Sequence, residues 1–241
     1  MQQWIMDRQL KQIVDNCTTM HFGRKNPASI SSLHNTNIKK FSCERDLGIT
    51  ISNNLNGTKH ISKIVKKAEG VLALLSKTFV SHSPAIYLRL YMAMVWPHLE
   101  FASPVWNHYT AQDIDLLETV QRCATKQILS IRYLRYSERL ASLGIDTLKL
   151  RHLANDLVNI HKIINHCANN HLQHLFELHV SNACGHAYKV RKQHNSHDFR
   201  KHSFTLRVAE TWNKLPASAV SCLDIAPCKI SMLPEIRQHY T

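Results

Sequence analysis

"HISKIVKKAEGVLALLSKTF", residues 60–79, decides the class of this fold. Ile61, Ile64, Val65, Ala68, Leu72, Leu75 and Phe79 return at spacings of three and four, which places them on one face of a helix about 20 residues long. The opposite face carries Lys59, Lys63, Lys66, Lys67 and Lys77. Two physical readings of those lysines stand side by side: a row of cations laid along a phosphate backbone, or the solvated face of an amphipathic helix.

Moving toward the C-terminus, the chain reads as helix after helix. Ser83 before Pro84 is a start signal, an N-cap followed by proline at the first helical position. The segment it opens, 84–96, is apolar nearly all round apart from Arg89 and is expected to be central and buried. In "AQDIDLLETVQRCATKQILS" (111–130), Ile114, Leu117, Val120, Ala124 and Ile128 form the core stripe, with Glu118, Arg122 and Lys126 as an i,i+4 ladder outside it. Cys123 falls on the apolar side and reads as a small core residue. "SERLASLGI" (137–145) is a short helix stopped by Gly144. A further helix restarts at Asp146 with Leu150, Leu153, Leu157, Ile160 and Ile164 as its stripe.

Two regions have a different character. Residues 2–12 suggest a helix, and 17–52 reads as a small antiparallel meander of short strands. Residues 165–202 are rich in His and Asn and read as a linker; "DFRKHSFTLRVAETWNKLP" (198–216) is a last amphipathic segment with Phe199, Phe204, Val208 and Trp212 near one face. The remaining residues, with turn signals around their prolines, are expected to be poorly ordered.

The chain has 30 Lys plus Arg against 17 Asp plus Glu, a net charge of +13, which favours a polyanionic partner. By segment the basic and acidic counts are 8 and 4 in 1–60, 5 and 2 in 61–110, 8 and 7 in 111–180, and 9 and 4 in 181–241, so the excess sits toward the ends. No uncharged run approaches the roughly 20 residues that span a bilayer, so no membrane association is expected. "MQQWIMDRQLKQ" has no apolar h-region, and an intracellular location with reduced thiols is expected. Seven cysteines without a C-x-x-C pair give no disulfide framework.

Seven phrases occur in one order: "VDNCTTMHFG" (14–23), "RDLGITIS" (45–52), "HISKIVKKA" (60–68), "VWPHLEFASPVWN" (95–107), "LLETVQRCATKQI" (116–128), "SERLASLGI" (137–145) and "RVAETWNKLP" (207–216). Together they resemble the C-terminal half of reverse transcriptases encoded by non-LTR (LINE-type) retrotransposons, in the jockey-like and chicken-repeat-like groups. The resemblance implies an RNA-directed DNA polymerase lineage. It implies a mainly α architecture: 1–55 an end-of-palm remnant, 56–165 an α-helical thumb-like bundle, and 166–241 a loop-rich region with one amphipathic helix and a tail. It implies that Leu47 and Gly48 form a turn on the primer side, and that Lys59, Lys63, Lys66, Lys67 and Lys77 face an RNA/DNA primer–template duplex.

Family polymerases use two Mg²⁺ held by an adjacent aspartate pair. This sequence has no Asp-Asp pair, so no catalytic residue and no cofactor is expected within it. Asn16 also stands where relatives commonly have a lysine before the cysteine. The expectation is a truncated relative that keeps a basic nucleic-acid-binding surface; the alternatives are a part of an active polymerase in a longer gene product and a host-adopted interaction module. With the rest of the palm missing, the first 55 residues are expected to expose an apolar face and an unpaired edge, and to be marginally stable or to associate.

Other chemistry has weaker support. His161, His166, Cys167, His171, His174, His179, Cys184 and His186 are crowded together, but Cys184-x-His186 is too short for a usual zinc knuckle. No glycine-flanked nucleophile motif supports a hydrolase. In "VWPHLEFASPVWN" the lone carboxylate Glu100 has no acidic neighbour; Pro97 is expected to end the preceding helix, and Trp96, Phe101 and Trp106 to plug a helix junction.

Overall fold

A computed structural model describes residues 16–23, 26–33, 35–79, 83–107, 110–165, 170–179, 186–192, 202–221 and 225–240. The expected helix at 2–12 lies outside them, as does Phe199. The chain divides into two units, 1–59 and 60–241.

The first unit is built from short strands: β1 (Thr18–Thr19), β2 (Ser32–Leu33), β3 (Thr36–Asn37), β4 (Lys39–Lys40), β5 (Cys43–Asp46) and β6 (Ile49–Ser52). β2 pairs antiparallel with β3, and β5 with β6. β1 and β4 pair in parallel, so the expected antiparallel meander is only partly correct. A connection as long as 20–38 lets the chain return in the same direction, whereas two-residue links force reversal. Phe22, Ile30, Phe41, Leu47 and Leu55 are exposed in this unit.

The second unit is helical. α1 (Thr58–Thr78) is followed by α2 (Pro84–Met94), α3 (Trp96–Glu100), α4 (Ser103–Trp106), α5 (Ala111–Lys126), α6 (Tyr136–Leu143) and α7 (Leu148–Ile164). A 3₁₀ turn (Asn170–Leu175) and the antiparallel pair β7 (Leu178–His179) and β8 (Lys189–Val190) precede α8 (Phe204–Lys214), α9 (Ala217–Val220) and α10 (Ile225–Tyr240). The molecule is mainly α, with small sheets. α7 is central, packing against α4, α5, α8 and α10. One core gathers Leu157, Ile160, Val208, Trp212, Met232 and Ile236.

The periodicity of α1 is realised: Ile61, Val65, Ala68, Leu72 and Leu75 are buried. Phe79 is an exception, exposed just past the helix end. Gly144 stops α6 in the left-handed conformation, φ 64°, as its lack of a Cβ allows.

Several expectations are corrected. α2 is not wrapped by core; it buries only Tyr87 and Tyr91, one turn apart, while Ile86, Met92 and Met94 are exposed. The buried tyrosines need hydroxyl partners, and glutamines on or just after α5 supply them. Tyr91 donates to Gln121 Oε1 at 3.1 Å, and Tyr87 donates to Gln127. Burial pushes the Tyr87 hydroxyl up to about 12.

On α5 the exposed ladder is absent. Glu118 is buried, accepting hydrogen bonds from the Tyr136 hydroxyl and from the Lys149 backbone N–H at the start of α7, where the helix dipole favours a carboxylate. Arg122 pairs instead with Asp115, and Cys123 is exposed. Gln121, fully buried, explains why polarity is tolerated there: Trp96 Nε1 also donates to its oxygen at 3.3 Å, and its Nε2 donates to the Tyr136 oxygen at 3.1 Å and the Asp146 carbonyl at 3.0 Å. Every hydrogen-bonding position of the amide is used, so burial leaves nothing unsatisfied.

"VWPHLEFASPVWN" is a packing junction, with changes of detail. α2 ends at Met94, before Pro97, which occupies the first turn of α3. Trp96 and Trp106 are buried, but Phe101 is exposed. Glu100 is neutralised by Arg151, whose guanidinium lies 3.5 Å above the Trp96 ring.

The tail is corrected most. Residues 217–240 contain α9 and α10, and α10 accommodates Pro234 inside the helix. Burying Met232 and Ile236 on one face outweighs the proline's local cost.

His152 provides a stability prediction. It is buried edge-on to Trp106 at 5.4 Å between ring centroids, and its Nε2–H donates to the Leu99 carbonyl at 2.9 Å. Burial pushes its pKa below the ordinary value, outweighing the carbonyl bond and the Glu100 and Asp156 charges. The unfolded chain takes up this proton near pH 6.5, the folded chain only at lower pH. The contribution is therefore present above about pH 6.5 and lost as the pH falls below it. The thermal midpoint is expected to fall between about pH 7 and pH 5, and to fall less steeply in His152→Gln; identical slopes in the two proteins would contradict this.

Candidate nucleic-acid interface

α1 fixes its lysines by helical geometry. At about 100° per residue, Lys59, Lys63, Lys66, Lys67 and Lys77 fall within an arc of about 100°. That arc is centred opposite the buried stripe of Ile61, Val65, Ala68, Leu72 and Leu75. All five lysines are exposed. At about 1.5 Å per residue the row extends about 27 Å along the axis, comparable with eight base-pair rises of a duplex. Glu69 is the single acidic residue in the helix and lies outside this arc, between it and the buried stripe.

Leu47 and Gly48 form the two-residue link of the β5–β6 hairpin, with Asp46 opposite Ile49. Their φ angles, 45° and 88°, are both positive, as a type I′ turn requires. Glycine accepts this freely and leucine does not, yet Leu47 is 87% exposed. Folding therefore holds an apolar side chain out at a strained turn.

A cleft of about 670 Å³ lies between α5, α6 and α7, with Leu117, Leu140, Leu150 and Leu153 on its walls. At its edge Arg237 grips Asp146 through two bonds of 2.9 Å. Elsewhere in the lining Arg207 grips Asp156 at 2.8 and 3.1 Å. These guanidinium–carboxylate pairs neutralise each other and serve the packing of α7, α8 and α10.

Among the described residues no group of three or more His, Cys, Asp or Glu converges on one point. His161 and His186 instead flank Trp212, with ring centroids at 6.4 and 5.5 Å. His166, Cys167 and Cys184 lie outside the described residues.

Sequence reasoning passed over one basic surface. "SIRYLRY" (130–136) interleaves arginine with tyrosine, a pattern suited to nucleic acid, and lies in an exposed connection between α5 and α6. No helix among the described residues is long and apolar enough to cross a membrane. No family model, curated protein or solved structure matches the chain.

Proposed function

We propose that the chain is related to the C-terminal half of non-LTR retrotransposon reverse transcriptases and holds nucleic-acid duplex along the lysine face of α1. The observation that carries this reading is the five exposed lysines in one arc, on the side of the helix away from its buried stripe. The net charge of +13 and the seven collinear phrases agree with it. The strained Leu47-Gly48 turn suits a primer-side contact in that lineage. The 241 residues contain no adjacent aspartates, and the described residues assemble no group suited to a pair of Mg²⁺ ions. The reading therefore assigns this chain nucleic-acid holding, with no step routed through a metal.

Phosphate neutralisation releases counterions, so log affinity for a DNA duplex should fall against log salt with a slope of about −0.9 per phosphate contacted. Lys63→Gln, Lys66→Gln and Lys67→Gln combined are expected to make that slope shallower by about 2 to 3, measured by fluorescence anisotropy of a labelled duplex. An unchanged slope would remove α1 from the interface. A protein that binds no duplex near physiological salt would favour the second reading, an interaction module, for which the exposed Ile86, Met92 and Met94 of α2 are the supporting feature.

A further inference from the structure

The connection between α5 and α6 is a displayed loop with fixed ends. After Lys126 the chain makes two successive turns, Ile131 N–H to the Ile128 carbonyl at 3.2 Å and Leu134 N–H to the Ile131 carbonyl at 3.0 Å. At the entry Ile128 is buried, and the Gln127 side-chain oxygen meets the hydroxyls of Ser76 and Tyr87. At the exit the buried Arg139 donates to the Leu134 carbonyl at 2.8 Å and to Thr125 Oγ1 at 3.1 Å. Glu138 accepts the Arg135 backbone N–H at 2.8 Å.

On this frame Arg132, Tyr133, Leu134 and Arg135 are all exposed. Tyr133 is 82% exposed, so its ring serves no core. The Arg132 guanidinium lies over one face of the ring, 4.7 Å from its centroid, and donates to the Tyr133 hydroxyl at 2.6 Å, which steadies the ring. Between Glu118 and Glu138 the sequence has no acidic residue, while Arg122, Lys126, Arg132 and Arg135 are basic.

We propose that this loop binds single-stranded nucleic acid, one base stacking on Tyr133 while Arg132, Arg135 and Lys126 meet the flanking phosphates. A tyrosine face accepts any base, so the preference is for strandedness and not for sequence. The fixed ends mean that little conformational freedom is lost on binding. The Ser76–Gln127 contact puts the start of the loop by the C-terminal end of α1, where Lys77 lies, so an unpaired extension of a duplex on α1 would leave the helix beside this loop. That continuity rests on the duplex reading of α1; the stacking site does not.

Fluorescence anisotropy with a labelled mixed-sequence oligonucleotide of about 15 nucleotides, and with its blunt duplex, tests the site. Tyr133→Ala is expected to weaken single-strand binding by about 5- to 100-fold and to leave duplex binding unchanged. Tyr133→Trp should restore single-strand binding. The exposure of Tyr133 predicts an unaltered thermal midpoint in both variants. Full single-strand affinity in Tyr133→Ala, or equal weakening for both probes, would overturn the proposal. The α1 lysine variants report separately through the duplex probe, so either surface fails without the other.

Discussion

Replacing Asp156 with alanine is expected to lower the unfolding free energy by about 3–5 kcal/mol. The Asp156 side chain is 1% exposed. It receives Arg207 Nε at 2.8 Å, Arg207 Nη2 at 3.1 Å and Asn107 Nδ2 at 3.0 Å. Arg207 goes on to the Pro104 carbonyl at 2.7 Å and the His202 carbonyl at 3.1 Å. One pair thus joins α4, α7 and α8. Removing the carboxylate leaves a half-buried guanidinium without its counter-charge, and that desolvation is what makes the loss large. Replacing both residues together, Asp156→Leu with Arg207→Met, should recover much of the loss, because no buried charge then remains. Urea unfolding of the single and double variants measures both values; a double variant no better than Asp156→Ala would show that shape, and not charge, governs the site.

Trp212→Ala is expected to cost about 3–5 kcal/mol by a different route, lost contact area and a cavity. The indole is fully buried among Leu157, Ile160, Met232 and Ile236. Its Nε1 donates to the Tyr188 carbonyl at 2.7 Å, and its own carbonyl accepts from His186 Nε2 at 2.9 Å. Beside it Asn213 makes two bonds to the Val190 backbone, at 2.9 and 2.8 Å, imitating a strand partner. These links tie residues 186–192 to α8, so the variant should also make that segment sensitive to proteolysis. Trp212→Phe keeps most of the area and forfeits the Tyr188 bond, a loss of about 1–3 kcal/mol from the unsatisfied carbonyl. A cost below about 1 kcal/mol for Trp212→Ala in thermal or urea unfolding would contradict a core built around this ring.

Both positions show why sequence reading was uneven. Trp212 was legible because tryptophan at helical spacing from Val208 is apolar wherever the chain puts it. Asp156 was not, since its burial depends on an arginine 51 residues away. The same holds for Glu118, placed outside by its i,i+4 relation to Arg122 and drawn inside by Tyr136 and the start of α7. Of the candidate interface, the lysine arc was legible in full, because three- and four-residue spacing maps onto a helix face with no tertiary information. Tyr133 was not, because nothing local distinguishes a displayed tyrosine from buried ones such as Tyr87 and Tyr91.

The sequence alone determined the elements whose signals are local: the two faces of α1, the Ser83-Pro84 start and the Gly144 stop. Tertiary structure decided where polar side chains go and whether weak helices persist. Gln121 is buried because four groups from distant segments saturate its amide. α10 stands, despite Pro234, because Met232 and Ile236 find a core already formed by α7 and α8. Periodicity is a property of neighbours along the chain; the satisfaction of a buried polar group depends on residues that only folding brings near.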